Sequence, residues 1–181
     1  MELARSTPEE RLVRWMQPLL RQWPWTLSGL LLLYSGLPWL GPWLRSQGYE
    51  RLGRTIFRVY TGLCHQLPER SFFLNGYQVC YCHRCTALYT SLFGMSLLYA
   101  LVRWRRTIPT RAMLVLTLPM VVDGSLHLIN DVLPALHLRS ADSAVGSINF
   151  WLRMITGALF GIGLIAWAYP RMDRELQPAV T

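Results

Sequence analysis

The chain has 181 residues, of which 52% are hydrophobic and 12% aromatic, yet it carries a formal charge of +8. Only 15% of residues are charged, against roughly 25% in soluble domains, and the abundance of Leu, Trp and Tyr excludes intrinsic disorder. A nucleic-acid binder would use the charge but not the apolar remainder, so the composition indicates an integral membrane protein with basic loops. All 18 basic residues are arginine.

The first 25 residues read as an interfacial segment. Leu12, Trp15, Met16, Leu19, Leu20 and Trp23 recur at helical spacing opposite Arg14 and Arg21, which suits a helix lying in the membrane interface despite Pro18. An uncharged stretch, Thr26–Leu44, follows. It is long enough to span a bilayer, and Pro38, Gly41 and Pro42 should bend or end its far half. A secretory leader is the competing reading, but Pro-Trp-Leu-Gly-Pro-Trp offers no small-x-small cleavage site, so an uncleaved anchor is expected.

Residues 45–84 form a long loop rich in cysteine. Tyr49, Leu52, Ile56, Val59 or Tyr60, and Leu63 make an apolar stripe, with Arg51, Arg54 and Arg58 on another face. A helix resting on lipid headgroups is the plain reading. A surface for an anionic lipid or a protein partner is the sharper one. Three further spans are expected at about 85–102, 112–129 and 148–169, inside a membrane domain of residues 26–170 that ends in a tail, 171–181. The expected fold is therefore an all-α polytopic membrane protein with about four transmembrane helices and short interfacial helices.

Arginine placement orients it. Ten arginines fall in the N-terminal segment, the loop Arg103–Arg111 and the C-terminal tail, against seven on the other side and Arg153 within a span. The richer side is assigned to the cytoplasm, with both termini, in a multi-pass protein of the cell's inner membrane.

All four cysteines lie between residues 64 and 85. Cys82-x-x-Cys85 suits either one metal ion or one disulfide. Cys64 and His65 complete a three-thiolate, one-imidazole zinc set, or Cys80 replaces His65 to give four thiolates. Cys80 is otherwise a bystander. Topology brings the polar residues of the later spans to the same depth, so Arg70, Arg84, Asp123, His127, Asn149 and Arg153 should gather around the cysteines. Asp123 and His127, at i and i+4, share a helix face. Charges inside a span need partners, and Asp123 with Arg153 is the expected pair. His83 and His137 read as exposed. Gly157-x-x-x-Gly161 reads as a close helix contact without chemistry.

The segments Cys64-His-Gln-Leu-Pro-Glu-Arg70-Ser-Phe-Phe, Gly76, Cys82-x-Arg84-Cys85-Thr86 with Tyr89, Asp123-Gly124, and Asn149-x-x-Leu152-Arg153-x-x-Thr156-Gly157 resemble the motifs of a bacterial and archaeal family of predicted membrane proteins, a domain of unknown function. The resemblance covers roughly residues 55–165. It departs at Cys80 and at His127, where another polar residue is expected. It implies a membrane location and importance for the gathered residues, and it supplies no activity.

Three function classes follow. The first is a membrane protein with a Cys/His zinc site at the outer end of a four-helix bundle, its catalytic residues unknown. The second is a thiol–disulfide oxidoreductase using Cys82 and Cys85 against a quinone, by analogy of architecture with four-helix membrane oxidoreductases. The third is a non-catalytic accessory subunit. The lipid bilayer is the one partner the composition specifies. Nucleic acid is not expected, and no protein partner is indicated.

Overall fold

The computed structural model describes residues 21–133 and 142–176, together with residues 17 and 135. Five helices and one hairpin succeed one another: α1 (Trp23–Ser46), α2 (Glu50–Thr61), a 3-10 turn (Pro68–Arg70), β1 (Ser71–Leu74), β2 (Tyr77–Cys82), α3 (His83–Val102), α4 (Thr110–Val132) and α5 (Ile148–Leu176). Among the described residues, three segments are long and apolar enough to cross a membrane: His83–Val102, Thr110–Asn130 and Ile148–Leu176. The protein is an all-α polytopic membrane protein with a minor two-stranded sheet. The expected N-terminal interfacial helix and His137 lie outside the described residues.

The first helix does not end where the sequence allowed it to. α1 neither stops nor breaks at Pro38, Gly41 and Pro42 but continues to Ser46. A proline inside a helix leaves the carbonyl four residues earlier without its donor. For Pro38 that carbonyl is Tyr34 O, and the hydroxyls of Tyr60 and Tyr81 donate to it at 3.0 and 3.3 Å. All three residues Pro38, Gly41 and Pro42 are buried against α2 and the hairpin. The same device recurs in α5, which runs through Pro170 to Leu176 and so includes the start of the supposed tail. There, the Ile108 N–H donates to Ala166 O, the carbonyl that Pro170 leaves free. Outside groups satisfy both carbonyls, and both helices persist.

The helices pack in a row: α2 on α1, α1 on α3, α3 on α5, and α5 on α4. The α3–α5 contact is close, as the glycine spacing implied. A Cβ on Gly157 would lie 2.6 Å from Arg84 O, and one on Gly161 would lie 2.8 Å from Leu88 O. α2 seats Gly53 on α1, where a Cβ would stand 2.6 Å from Gly41 O. It buries Tyr60 and leaves Tyr49, Leu52, Val59 and Leu63 exposed. That exposed apolar flank, bordered by arginines, suits the edge of a bilayer.

The hairpin is the element that sequence patterning did not anticipate. Asn75 and Gly76 both have positive φ, 51° and 81°, as a two-residue hairpin turn requires. Leu74 pairs with Tyr77 and Phe73 with Gln78, and an irregularity precedes the Ser71–Cys82 pair. Val79, Cys80 and Tyr81 are all buried there. β2 leads directly into α3, so Cys82 is the N-cap residue of a membrane-crossing helix.

Candidate metal centre and polar cleft

Cys64 follows α2, and its N–H donates to Tyr60 O at 3.0 Å, which fixes its approach to the hairpin. Gln66, at φ 49°, holds the two parts together. Its amide donates to Phe57 O at 2.9 Å and to Cys80 O at 3.0 Å, and its oxygen accepts from Thr61. This clamp brings Cys64 to the start of α3. The sulfurs of Cys64, Cys82 and Cys85 all lie within 4.8 Å of one another, and Cys64 is buried. Cys82 N–H donates to Cys64 Sγ at 3.2 Å, the kind of outer bond that steadies a thiolate ligand.

The cysteines differ electrostatically. Side-chain hydrogen bonds from Cys64, then Cys85, hold the Cys82 thiol well below its usual range, with burial opposing. Its hydrogen bond with Cys82 pushes the Cys64 thiol upward. Burial pushes Cys80 up to about 11. Cys80 stands apart from the three-thiol group. It is fully buried against α1, where a Cβ on Gly41 would lie 3.1 Å from its sulfur.

Beside the thiols opens a cleft of about 140 Å³, lined by His65, Leu67, Arg70, Cys82, Arg84, Gly124, His127, Leu128 and Arg153. The sequence placed most of these residues at one membrane depth, and here they meet. His65 is exposed on the cleft rim and is not one of the clustered metal donors. Arg84 forms an ion pair with the buried Asp123. Arg153 Nη2 donates to His127 Nε2 at 3.1 Å. The expected Asp123–Arg153 pairing is thus redistributed: α4 presents its carboxylate to α3 and its imidazole to α5. The exchange follows from helix phase, because Arg84 opens α3 directly opposite Gly124, whose Cβ position would lie 3.3 Å from its Nη1. Asn149 turns away from the cleft to donate to Asp142 O at 2.7 Å.

His83 requires a correction. It is buried, not exposed, at 1% accessibility, and its ring meets Phe72 and Phe150 edge-on at centroid distances of 4.6 and 4.8 Å. Neither ring nitrogen has a hydrogen-bond partner. Standing between Cys82 and Arg84 it resembled a loop residue, whereas the abrupt strand-to-helix transition turns it inward.

A family profile described as a predicted membrane protein, domain of unknown function 2085, matches residues 64–167. The match begins at the first cysteine of the cluster and runs into the last helix. An uncharacterised protein of Methanocaldococcus jannaschii is 31% identical over 118 residues, 64% of this chain and 67% of that relative. Another, from Methanothermobacter thermautotrophicus, is 31% identical over 103 residues, 56% of this chain and 80% of its own. No solved structure matches.

Proposed function

We propose that this chain, which belongs to the DUF2085 family of predicted membrane proteins, carries a zinc centre at the outer end of a four-helix membrane bundle. Cys64, Cys82 and Cys85 are its thiolate ligands and His65 its fourth. The single observation carrying this reading is the convergence of three thiols from two separate segments within 4.8 Å. Tetrahedral zinc with Zn–S near 2.3 Å separates its sulfurs by about 3.8 Å, so small side-chain rotations suffice. Thiolates and imidazole are the donors that suit zinc. His65 adjoins Cys64 and borders the cleft beside Cys82, and its ring would turn from the exposed rim toward the sulfurs to complete the set. The zinc would fasten the end of α2 to the start of α3. Its environment, a cleft with three arginines, distinguishes it from a buried clip.

In this reading α1 is the fourth span, its Leu30, Leu33 and Leu37 facing lipid. The arginine-rich loop after α3 and both termini face the cytoplasm of the cell membrane, which puts the thiols outside. Metal analysis of purified protein, paired with thiol titration, tests the centre. Stoichiometric zinc that is lost in Cys64→Ser and Cys82→Ser supports it. His65→Ala should weaken zinc retention without abolishing it. A zinc-free protein with a Cys82–Cys85 disulfide would overturn it.

One observation favours a second reading. Cys82 is both the thiol lowered by its neighbours and the one on the cleft wall, as an attacking thiolate would be. In that chemistry the Cys82/Cys85 dithiol closes to a disulfide, passing two electrons and two protons to a quinone, which becomes the quinol. Quinone reduction by the reduced, zinc-free protein would select this reading.

A further inference from the structure

The cleft beside the thiols is lined by guanidinium groups that the metal reading does not use. Three guanidinium groups reach it from three elements: Arg70 from the 3-10 turn, Arg84 from the first turn of α3 and Arg153 from α5. Asp123 is taken by Arg84, and Glu69 stands 3.8 Å from Arg70 with its own side chain more than half exposed. Arg153 is 2% exposed, and its recorded partner is an imidazole, not a carboxylate. Its Nη1 is buried without a hydrogen-bond partner, and so is Arg84 Nε.

A buried guanidinium beside two like charges is a costly arrangement, more so inside a membrane span. Leu67 and Leu128 contribute apolar wall to the same cleft, so an incoming anion would meet the buried Arg153 donor beside a low-dielectric surface. The volume sets the size of the ligand. A cavity of about 150 Å³ admits benzene, six non-hydrogen atoms, so about 140 Å³ admits a tetrahedral oxyanion with five. The geometry selects the class. Guanidinium forks pair with the oxygens of phosphate two at a time, and forks arriving from three elements suit an anion that offers three or four acceptor oxygens. A carboxylate offers two.

We propose that the cleft formed by Arg70, Arg84 and Arg153, with His127 behind Arg153, is a binding site for a phosphate group, taken either as free inorganic phosphate or as the headgroup phosphate of a membrane lipid. This goes beyond the zinc centre and does not depend on it. The arginines would hold the anion whether or not the neighbouring thiols carry metal.

The test uses the full chain in detergent, before and after zinc is removed by chelation, with zinc content measured in parallel. In one arm inorganic phosphate is titrated and followed by calorimetry, with chloride at equal ionic strength as control. In the other, delipidated protein is offered phosphatidic acid or phosphatidylcholine and retention is read by native mass spectrometry. Two variants accompany the wild type: Arg153→Lys, which keeps the charge but loses the fork, and Arg70→Gln, nearer the surface. Saturable binding in the phosphate arm identifies the free anion, and selective retention of phosphatidic acid identifies the headgroup. Either supports the proposal when both variants weaken it by about tenfold or more, ~1.4 kcal/mol. Should Arg153→Lys not fold, Arg70→Gln alone decides. Absence of saturation in both arms up to roughly millimolar ligand, or binding unchanged in the folded variants, overturns it. A zinc-replete protein that binds neither ligand would remove this proposal and leave the metal centre standing.

Discussion

The two ends of the bundle handle buried polarity in opposite ways. Among the described residues at the end formed by the start of α1, the end of α3 and the end of α5, buried polar side chains are hydrogen-bonded to one another. Asp173 accepts from Arg103 at 2.6 Å and from Trp23 Nε1 at 3.1 Å. Ser28, Ser96 and Tyr169 form a hydroxyl chain with contacts of 2.7 and 2.9 Å, and Trp23 packs edge-on to Tyr169. The Tyr99 hydroxyl is the exception there. At the thiol end, Arg84 Nε, Arg153 Nη1 and both His83 nitrogens lack partners, and three thiols crowd together. A satisfied network fixes helix positions and asks nothing of a ligand. An unsatisfied one, lining a cleft, is arranged for something that arrives.

Four substitutions or modifications can break or sharpen this contrast. The largest effect is expected from Cys82→Ser, which removes one of the three proposed thiolate ligands. Zinc retention should fall to background by metal analysis, while Asp173→Asn at the far end leaves it unchanged. Next is thiol reactivity in the chelated protein. Cys82, held low by its neighbours, should alkylate fastest and remain reactive below pH 8. Cys80, pushed up to about 11, should react about 100-fold more slowly than an ordinary thiol. Mass mapping of timed alkylation reads this directly, and equal rates would erase the distinction drawn between the cysteines.

Arg84→Gln comes third. It removes the ion pair of the buried Asp123 with Arg84, which should cost up to about 3–5 kcal/mol and lower the melting temperature in detergent. Adding Asp123→Asn should restore part of the loss, and a double variant no better than the single would show that the pair is not coupled. Smallest is Asp173→Asn, which weakens the bonds from Arg103 and Trp23 for about 1–3 kcal/mol. It should reduce thermal stability while leaving zinc content and phosphate binding intact. A change in either would mean that the two ends are not independent.

The sequence made much of this arrangement legible. Uncharged runs placed α3, α4 and the start of α5 closely, because hydropathy over twenty residues is an averaged signal, while α5 continues past its expected end at 169 to Leu176. The gathering of Arg70, Arg84, His127 and Arg153 followed from alternating span direction alone. What escaped was local and geometric. The hairpin was signalled by Asn75-Gly76, yet an apolar loop between membrane helices masked it. The irregular pairing between Ser71 and Phe73, which accompanies the burial of Cys80 away from the cluster, has no composition to announce it. The partner of Asp123 depended on helix phase, which spacing along one helix does not reveal. Likewise, α1 survives Pro38 because two tyrosine hydroxyls from distant segments serve Tyr34 O. Only the assembled fold could supply them.

The central claim, a three-thiolate zinc centre at the unsatisfied end, is tested most directly by X-ray absorption at the zinc edge on the purified chain. The account predicts three sulfur neighbours near 2.3 Å and one nitrogen near 2.0 Å. A spectrum of oxygen and nitrogen ligands without sulfur would contradict it.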